Sequence, residues 1–293
     1  TQTKLAEKFG VSFVAFNNWW NGKSAPHPKT LAAIEELFLE VTGQKIIPAA
    51  RLINKKNILH SQAAKHPNVV TEILANPDIR DQFFLKLTYH SNRIEGSKLT
   101  EPDTAAILFD NAALPNKSLT EQLEAKNHQT ALSYLFDYIA RKEKIDEQLI
   151  LKLHGILMNG VQSDAGEYRR HGVRIVGVNL PTANYLRVPD LMQKLAVFAA
   201  KPTKDIINSA AIVHSRFEQI HPFSDGNGRV GRLLLNTMLL KANFAPAVIR
   251  EGQKRLYYTY LYKAQTKEDY SQLEDFICDA ITGGFKILER ADK

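Results

Sequence analysis

Helical periodicity is the feature that most constrains the fold of this 293-residue chain. Apolar residues that recur three or four positions apart fall on one face of a helix, and this face is expected to be buried. Sets with this spacing occur at residues 31–38, 132–139, 149–156, 233–239 and 276–285. Because the sets are spread over the whole chain, the sequence predicts a mainly α protein.

One segment carries a strand pattern instead. Residues Val173–Val178 read VRIVGV, which is rich in β-branched residues, and the turn formers around Pro181 to Asn184 separate this run from a short LRV segment. Two such runs joined by a turn predict a small β-hairpin.

The composition excludes several classes of protein. With 44% hydrophobic and 24% charged residues, the chain can bury a sizeable core and is not mostly disordered. Its single cysteine, Cys278, excludes a disulfide framework and multi-cysteine zinc sites. No apolar run approaches the roughly 18 residues that cross a bilayer. The first residues, TQTKLAEKFG, mix charge into apolar positions, so we expect a cytoplasmic protein with no signal peptide and no membrane partner.

Two breaks in the pattern divide the chain. Gly43 closes a helix and Pro48 cannot continue one, and a second break with several turn formers lies at residues 111–118. We predict a small helical module at residues 1–47, a connecting helical segment at 48–118 and a helical core at 119–293. Lys55 and Lys56 are interpreted as solvated charges of the connecting segment.

The N-terminal module reads as helix, turn, helix, with Gly10 in the turn and Ser12 as the N-cap of the second helix. This spacing resembles the helix-turn-helix of phage-repressor-like DNA-binding domains, and the net charge of +7 is compatible with DNA. The resemblance implies that the second helix enters the major groove. The residues expected to face DNA lie within 12–23 and are Ser12, Phe13, Phe16, Asn17, Asn18 and Lys23. A protein-docking or purely structural role stays open, because short helix pairs joined by glycine are common packing units.

The segment Ile220–Leu235, IHPFSDGNGRVGRLLL, is the most informative part of the sequence. Gly226 and Gly228 allow successive backbone N–H groups to form an anion-binding nest, and the helix that follows adds its positive N-terminal end. Arg229 and Arg232 lie three positions apart, so both face the same side and can bind separate phosphates.

Two further groups in this segment suit transfer chemistry. His221 has a pKa range in which it accepts a proton at neutral pH. Asp225 is a hard carboxylate suited to Mg²⁺ that bridges phosphates. Together with the nest, these groups predict phosphoryl or nucleotidyl transfer. Three other histidines, His154, His171 and His214, lack the compact spacing of a transition-metal site, and His214 is interpreted as packed or solvated.

The run HPFSDGNGRVGR matches the signature HPFx(D/E)GNGRxxR of the Fic family at every defined position. The similarity covers roughly residues 119–290, since LHGILMNGVQSDAGEYRR, the VRIVGVNLPTANYLRVPDLM segment and HSRFEQIHPF also resemble segments of that family. The resemblance implies a Fic-type helical core with a β-hairpin flap. It also implies transfer of AMP from ATP to a Ser, Thr or Tyr hydroxyl of a target protein, or of the chain itself, with pyrophosphate leaving.

The resemblance also assigns roles to individual residues. His221 becomes the base, Asp225 the Mg²⁺ ligand, and Arg232 the residue that holds the γ-phosphate. The phosphates would be cradled by the backbone of Gly226, Asn227 and Gly228 and by the Asn227 amide, with Arg229 at the transferring phosphate. Four residues form the flap edge that pairs with an extended target segment, namely Val176, Gly177, Val178 and Asn179. Three residues match the adenine pocket, namely Tyr257 or Tyr258, by ring stacking, and Gln265, by its amide.

Residues Ser91–Gly96, SNRIEG, match the (S/T)xxxE(G/N) pattern of the inhibitory helix of the family. Glu95 is expected to end a helix just before Gly96, which suits the left-handed C-terminal position. If its carboxylate pairs with Arg232, the γ-phosphate loses its anchor. In some relatives the same glutamate supports removal of AMP, so both directions of reaction stay open.

Other functions are compatible with the sequence. A DNA-binding regulator whose Fic-like half only senses a nucleotide is one alternative, and transfer from a nucleotide other than ATP is another. A homodimer is also open.

Overall fold

The computed structural model of the chain describes residues 1–174 and 180–292. Within these ranges it contains fourteen α-helices, three short 3₁₀ helices and no β-strand, so the prediction of a mainly α protein is confirmed. In the same ranges no helix is long and apolar enough to cross a membrane. The α-helices, numbered in chain order, are α1 (Gln2–Lys8), α2 (Phe13–Trp20), α3 (Pro28–Thr42), α4 (Ala49–Ala63), α5 (Val69–Ala75), α6 (Pro77–Glu95), α7 (Glu101–Phe109), α8 (Leu119–Ala140), α9 (Glu147–Leu157), α10 (Val188–Ala199), α11 (Ile206–Ile220), α12 (Asn227–Lys241), α13 (Lys254–Lys267) and α14 (Ser271–Leu288).

The hairpin prediction is wrong in its second arm. The predicted flap edge, Val176–Asn179, lies outside the described residues. The LRV segment that was expected to pair with it is helical, because Tyr185–Arg187 form a 3₁₀ helix and α10 starts at the next residue. The Asn184 side chain caps this turn by accepting from the Leu186 N–H at 3.0 Å. A proline in the first turn of α10 also favours a helix start over a strand.

Contacts divide the chain into two compact units, residues 1–48 and residues 49–293. In the first unit, Gly10 adopts the left-handed conformation with φ of 65°. Ser12 caps α2 by accepting from the Ala15 N–H at 3.2 Å. Phe16 is 6% exposed and stacks on Phe9, with ring centroids 6.3 Å apart. The expectation that Phe16 faces DNA is therefore wrong, because an aromatic cluster within the unit buries it.

The second unit is built around α12. Every residue of this helix from Arg229 to Leu240 is buried, and α6, α8, α9 and α11 pack against it. A helix enclosed in this way needs partners from its neighbours for each of its polar side chains. The arginines of α12 are consequently held by residues from several helices.

The helix α4 is joined to α14, and to Asp205 just before α11, by partly buried charge pairs. Lys55 binds Asp275 at 2.6 Å, and Lys56 binds Asp205 at 2.5 Å and also Glu274. The interpretation of Lys55 and Lys56 as solvated charges is therefore wrong. These pairs make α4 a part of the second unit.

Candidate active site

His221 marks the point where α11 ends and the glycine-rich loop begins. Its backbone is left-handed, with φ of 51°, an uncommon conformation for a residue with a side chain. The His221 N–H donates to the Phe217 carbonyl at 2.9 Å, and the His221 carbonyl accepts from Arg169 Nε at 2.7 Å. The chain is thus fixed on both sides of the imidazole.

The hydrogen bonds of His221 select its tautomer. Nδ1 lies 3.2 Å from the Glu218 carbonyl oxygen, and because a carbonyl only accepts, Nδ1 carries the proton and Nε2 is left as an acceptor. Burial lowers the pKa of His221, and the Arg169 charge adds to this effect while the bond to Glu218 opposes it. The ring is only partly buried. It is therefore a neutral base at pH 7 with its acceptor nitrogen available.

The loop after His221 is held by its own side chains. Asn227 accepts from the Phe223 N–H and donates to the Phe223 carbonyl, both at 2.9 Å. The amide has a second N–H donor, so the expectation that it also contacts phosphates stays a prediction. Its contribution is to hold the loop in shape.

Phe223 is fully buried and stacks on His154, with ring centroids 3.7 Å apart. The Gly166 N–H donates to His154 Nδ1 at 2.9 Å, so Nε2 carries the proton and donates to the Asp225 carbonyl at 3.1 Å. Burial lowers the pKa of His154 to about 4. His154 is therefore a neutral structural residue under the loop.

Two glycines of the loop lie where a side chain would collide. Gly226 has φ of 77°, and a Cβ there would lie 2.8 Å from Met158 Sδ. At Gly228 a Cβ would collide with Glu95 Oε1 and would lie 3.0 Å from Arg232 Nη1. The Glu95 carboxylate thus lies against the first turn of α12, where unpaired N–H groups favour an anion.

Arg232 is held by the end of α6. It donates from Nε to Ser91 Oγ at 2.9 Å and from Nη2 to Glu95 Oε1 at 2.6 Å. Burial opposes the guanidinium charge, but the neighbouring Glu95 carboxylate outweighs burial, and the pKa of Arg232 is raised above its usual value. Gly96 follows in the left-handed conformation, with φ of 107°. The contact between Glu95 and Arg232 on which the inhibitory interpretation depends is therefore present.

Arg229 is held by Glu124 of α8, a residue to which the sequence did not point. Its Nη1 lies 2.7 Å from Glu124 Oε1 on α8, and its Nη2 lies 3.6 Å from Asp225 Oδ2. Glu124 is 105 positions away in sequence, and nothing in the residue pattern of its helix predicts this contact.

The site retains unused binding capacity for an anion. Among the residues that the structure describes, none forms a hydrogen bond with Arg229 Nε or Arg232 Nη1, although both atoms are buried. Buried guanidinium nitrogens without partners are costly, which fits a site completed by phosphate oxygens.

Asp225 can take part in binding a metal with phosphates. Its side chain is 55% exposed. The described part of the chain holds no cluster of three or more His, Cys, Asp or Glu that would bind a metal alone. Mg²⁺ in nucleotide sites is held by one or two carboxylates together with phosphates, so a single exposed carboxylate fits it.

The residues predicted to line the adenine pocket differ in how exposed they are. Tyr257 is fully buried and its hydroxyl lies 2.5 Å from His214 Nε2, so its predicted role in stacking on adenine is wrong. Tyr258 is only partly buried, and its ring face is approached by Lys254 at 5.9 Å. Gln265 donates to the Ser215 carbonyl at 3.2 Å. Of the two tyrosines, Tyr258 is the one that a base can reach.

A buried carboxyl, that of Glu218, also lies near Arg232. Glu218 is 6% exposed, and burial raises its pKa to about 8, although Arg232 opposes this shift. Its Oε1 lies only 2.5 Å from where a Cβ of Gly231 would stand, so this glycine makes room for it. The only sequence signal for Glu218 is a glutamate near the end of an apolar helix.

Comparisons with known proteins agree with this geometry. Residues 144–239 match the model of the Fic/DOC family. A protein of Drosophila erecta named "Protein adenylyltransferase Fic" is 33% identical over 204 residues, which are 68% of this chain and 41% of that protein. Its namesake in Drosophila melanogaster has the same identity and coverage. The chain spans about two fifths of the length of these curated relatives.

Two solved structures share the fold. The Fic-1 fragment of C. elegans has a TM-score of 0.72 at 23% identity, covering 92% of this chain and 79% of that one. A Fic family protein from Desulfovibrio desulfuricans G20 has a TM-score of 0.71 at 24% identity, covering 85% and 77% respectively. At these identities the likeness shows the fold alone.

Proposed function

Residues 144–239 are a domain that belongs to the Fic/DOC family, and from this premise we propose that the chain is a protein adenylyltransferase that moves AMP from ATP to a Ser, Thr or Tyr hydroxyl. The curated relatives that share a third of their aligned residues with it carry this name. One observation carries the proposal. A neutral imidazole with a free acceptor nitrogen, His221 Nε2, stands at the mouth of a helix N-terminus that is flanked by two buried arginines.

The proposed reaction is a direct displacement. Nε2 of His221 accepts the proton of the target hydroxyl as its oxygen attacks the α-phosphorus. The new O–P bond forms while the bond between the α-phosphorus and the bridging oxygen breaks, and pyrophosphate leaves. The first-turn N–H groups of α12, Arg229 and Arg232 stabilise the charge on the phosphates. Bound Mg²⁺ would be held by Asp225 and would neutralise charge on the leaving group.

We further propose that Glu95 is a brake on this reaction. Its carboxylate lies at Gly228 and pairs with Arg232, where the γ-phosphate would bind. A charge-assisted bond of this kind is worth on the order of 1.5–3 kcal/mol, which is roughly ten- to over a hundredfold in rate or affinity. Glu95 is the last residue of α6, so its side chain can leave without unfolding the helix.

The decisive experiment is intact-mass measurement of Glu95→Gly after incubation with Mg²⁺ and ATP. We expect covalent gain of AMP on the chain itself and none with UTP, CTP or GTP. The matched control is Glu95→Gly with His221→Ala, which should bind ATP but lose transfer by about 10²–10⁴-fold.

Two results would contradict the proposal. A folded Glu95→Gly protein that binds ATP yet gains no AMP would refute adenylyl transfer, and near-normal transfer by the His221→Ala control would refute the assigned base. If wild type and Glu95→Gly gain AMP equally fast, the brake is refuted while the transfer stands.

A further inference from the structure

A groove of about 460 Å³ is lined by Ile220, the residue before His221, and by none of the residues assigned to the ATP site. Its walls are α10, the second half of α11 and residues 181–183. The floor is apolar, with Leu195 and Ile220 buried and Phe198 partly buried. Two cations, Lys194 and Arg216, stand exposed at its sides.

The groove is linked to His221 through Ile220 and Arg169. Ile220, which lines it, is the residue before His221. Arg169 fixes the two together, because it donates to the His221 carbonyl at 2.7 Å and to the Ala183 carbonyl at 2.6 Å. Arg169 is itself 2% exposed. Arg169 therefore fixes the position of residue 183 in the groove wall relative to the backbone of His221.

The cations of the groove are free to bind a ligand. Over residues 1–174 and 180–292, no carboxylate forms a salt bridge with Lys194 or Arg216. Arg216 lies with its guanidinium 5.5 Å from the centre of the Phe198 ring, so its stem covers apolar surface while its charge faces out. A ligand that suits both features carries an acidic group next to an apolar one.

The helix geometry sets the register of such a ligand. Arg216 lies five positions before His221, which is about 7.5 Å along a helix axis at 1.5 Å per residue. An extended peptide advances about 3.3 Å per residue. If the peptide runs along α11, a side chain that lies beside Arg216 is about two residues from the hydroxyl that meets His221.

We propose that this groove is the specificity site for the protein substrate, and that it selects target segments with an acidic residue about two positions from the modified hydroxyl and an apolar residue beside it. The proposal rests on the proposed transfer reaction for the identity of the occupant. Main-chain pairing alone tolerates any sequence, whereas alternate side chains in pockets give selectivity. Charge complementarity in the groove supplies this selectivity.

The test begins with binding, which does not depend on catalysis. The probes are short fluorescent peptides in which Ala replaces the acceptor residue and Leu lies next to it. Each peptide carries Glu, Gln or Lys both two positions before and two positions after the Ala. By fluorescence polarisation we expect the Glu peptide to bind the full chain about tenfold tighter than the Lys peptide. The double variant Lys194→Glu/Arg216→Glu should reverse this order. Lys152→Glu, an exposed lysine in the middle of α9, is the matched control and should leave the order unchanged.

Equal binding of the three peptides, or the same order in the charge-reversed variant, would overturn the groove assignment. So would a control variant that changes the order as much as the double variant. The acceptor versions of the peptides, with Thr in place of Ala, are then incubated with Glu95→Gly and Mg-ATP. Charge-dependent binding without any AMP transfer would count against the proposed function and not against the groove.

Discussion

The two arginines of α12 are held in almost the same way. The difference between them is that the carboxylate partner of one lies inside its helix and the partner of the other lies at a helix end. Arg229 and Arg232 are 2% and 5% exposed, and each pairs with one carboxylate from another helix, at 2.7 and 2.6 Å. Glu124 lies inside α8 with its side chain 18% exposed. Glu95 is the last residue of α6, with its side chain 31% exposed.

This difference follows from the position of each carboxylate along its helix. A residue inside a helix has neighbours one turn before and after it, so its backbone is held on both sides by helical hydrogen bonds and its side chain moves only by changing rotamer. A residue at the end, followed by a left-handed glycine, has no such restraint on one side. The same ion-pair chemistry can therefore hold one arginine permanently and the other reversibly.

The largest expected effect is on stability. Removing one partner of a buried ion pair leaves the other charge uncompensated and typically costs 3–5 kcal/mol, and since Glu124 is partly exposed we expect about 3 kcal/mol for Glu124→Ala. For Glu95→Ala we expect a smaller loss of about 1.5 kcal/mol, because this carboxylate is a third exposed and Ser91 still binds Arg232. Urea unfolding of both variants measures this difference.

The matched control for this pair is Glu124→Gln, which keeps a hydrogen-bond acceptor for Arg229 and should recover part of the loss. Equal destabilisation by Glu95→Ala and Glu124→Ala would mean that the two ion pairs contribute equally to stability, which would contradict the distinction between a lasting and a reversible pair.

A smaller effect is expected from the glycine that ends α6. Gly96 has φ of 107° and open space around a Cβ, so Gly96→Ala adds backbone strain without a clash. Forcing a side chain into this conformation costs about 1 kcal/mol. The cost falls on the turn that carries Glu95, so we expect self-modification to rise about fivefold, as read by labelled ATP.

Gly43→Ala is the control for this substitution. Gly43 also caps its helix in a left-handed conformation with open space around it, but it belongs to the other unit. It should cost similar stability and leave transfer unchanged. Unchanged transfer in Gly96→Ala would show that the end of α6 does not govern the brake.

Local backbone conformation could be predicted from the sequence. Gly226, Arg229 and Arg232 lie within seven positions, so a loop followed by a helix fixes how they are arranged. Ser12 and Gly10 took their predicted conformations for the same reason. The position of Glu95 against Arg232 spans 137 residues and came only through a family pattern.

The misses share a physical cause, which is that tertiary packing decides them. Tyr257 and Tyr258 are neighbours with the same chemistry, and only the way α13 packs shows which ring is buried. Phe16 was misread because three other aromatic rings of its unit bury it. Arg169 binds the His221 carbonyl from 52 positions away, and its arginine side chain gave no sign of this.

The smallest expected effect is on the pH dependence of transfer. Burial lowers the pKa of His221, so the base stays neutral below the usual value of about 6.5 and the acid limb of the rate should lie below that pH. The Glu95 charge opposes this shift by favouring the imidazolium. Removing it in Glu95→Gln should move the limb further toward acid, whereas Glu124→Gln should leave the limb where it is. At pH 6 the gain is at most about fourfold, since an unperturbed histidine is already about a quarter neutral there. Rates of transfer measured between pH 5 and 8 for the three proteins check this, and an identical shift in both variants would show that His221 does not distinguish the two carboxylates.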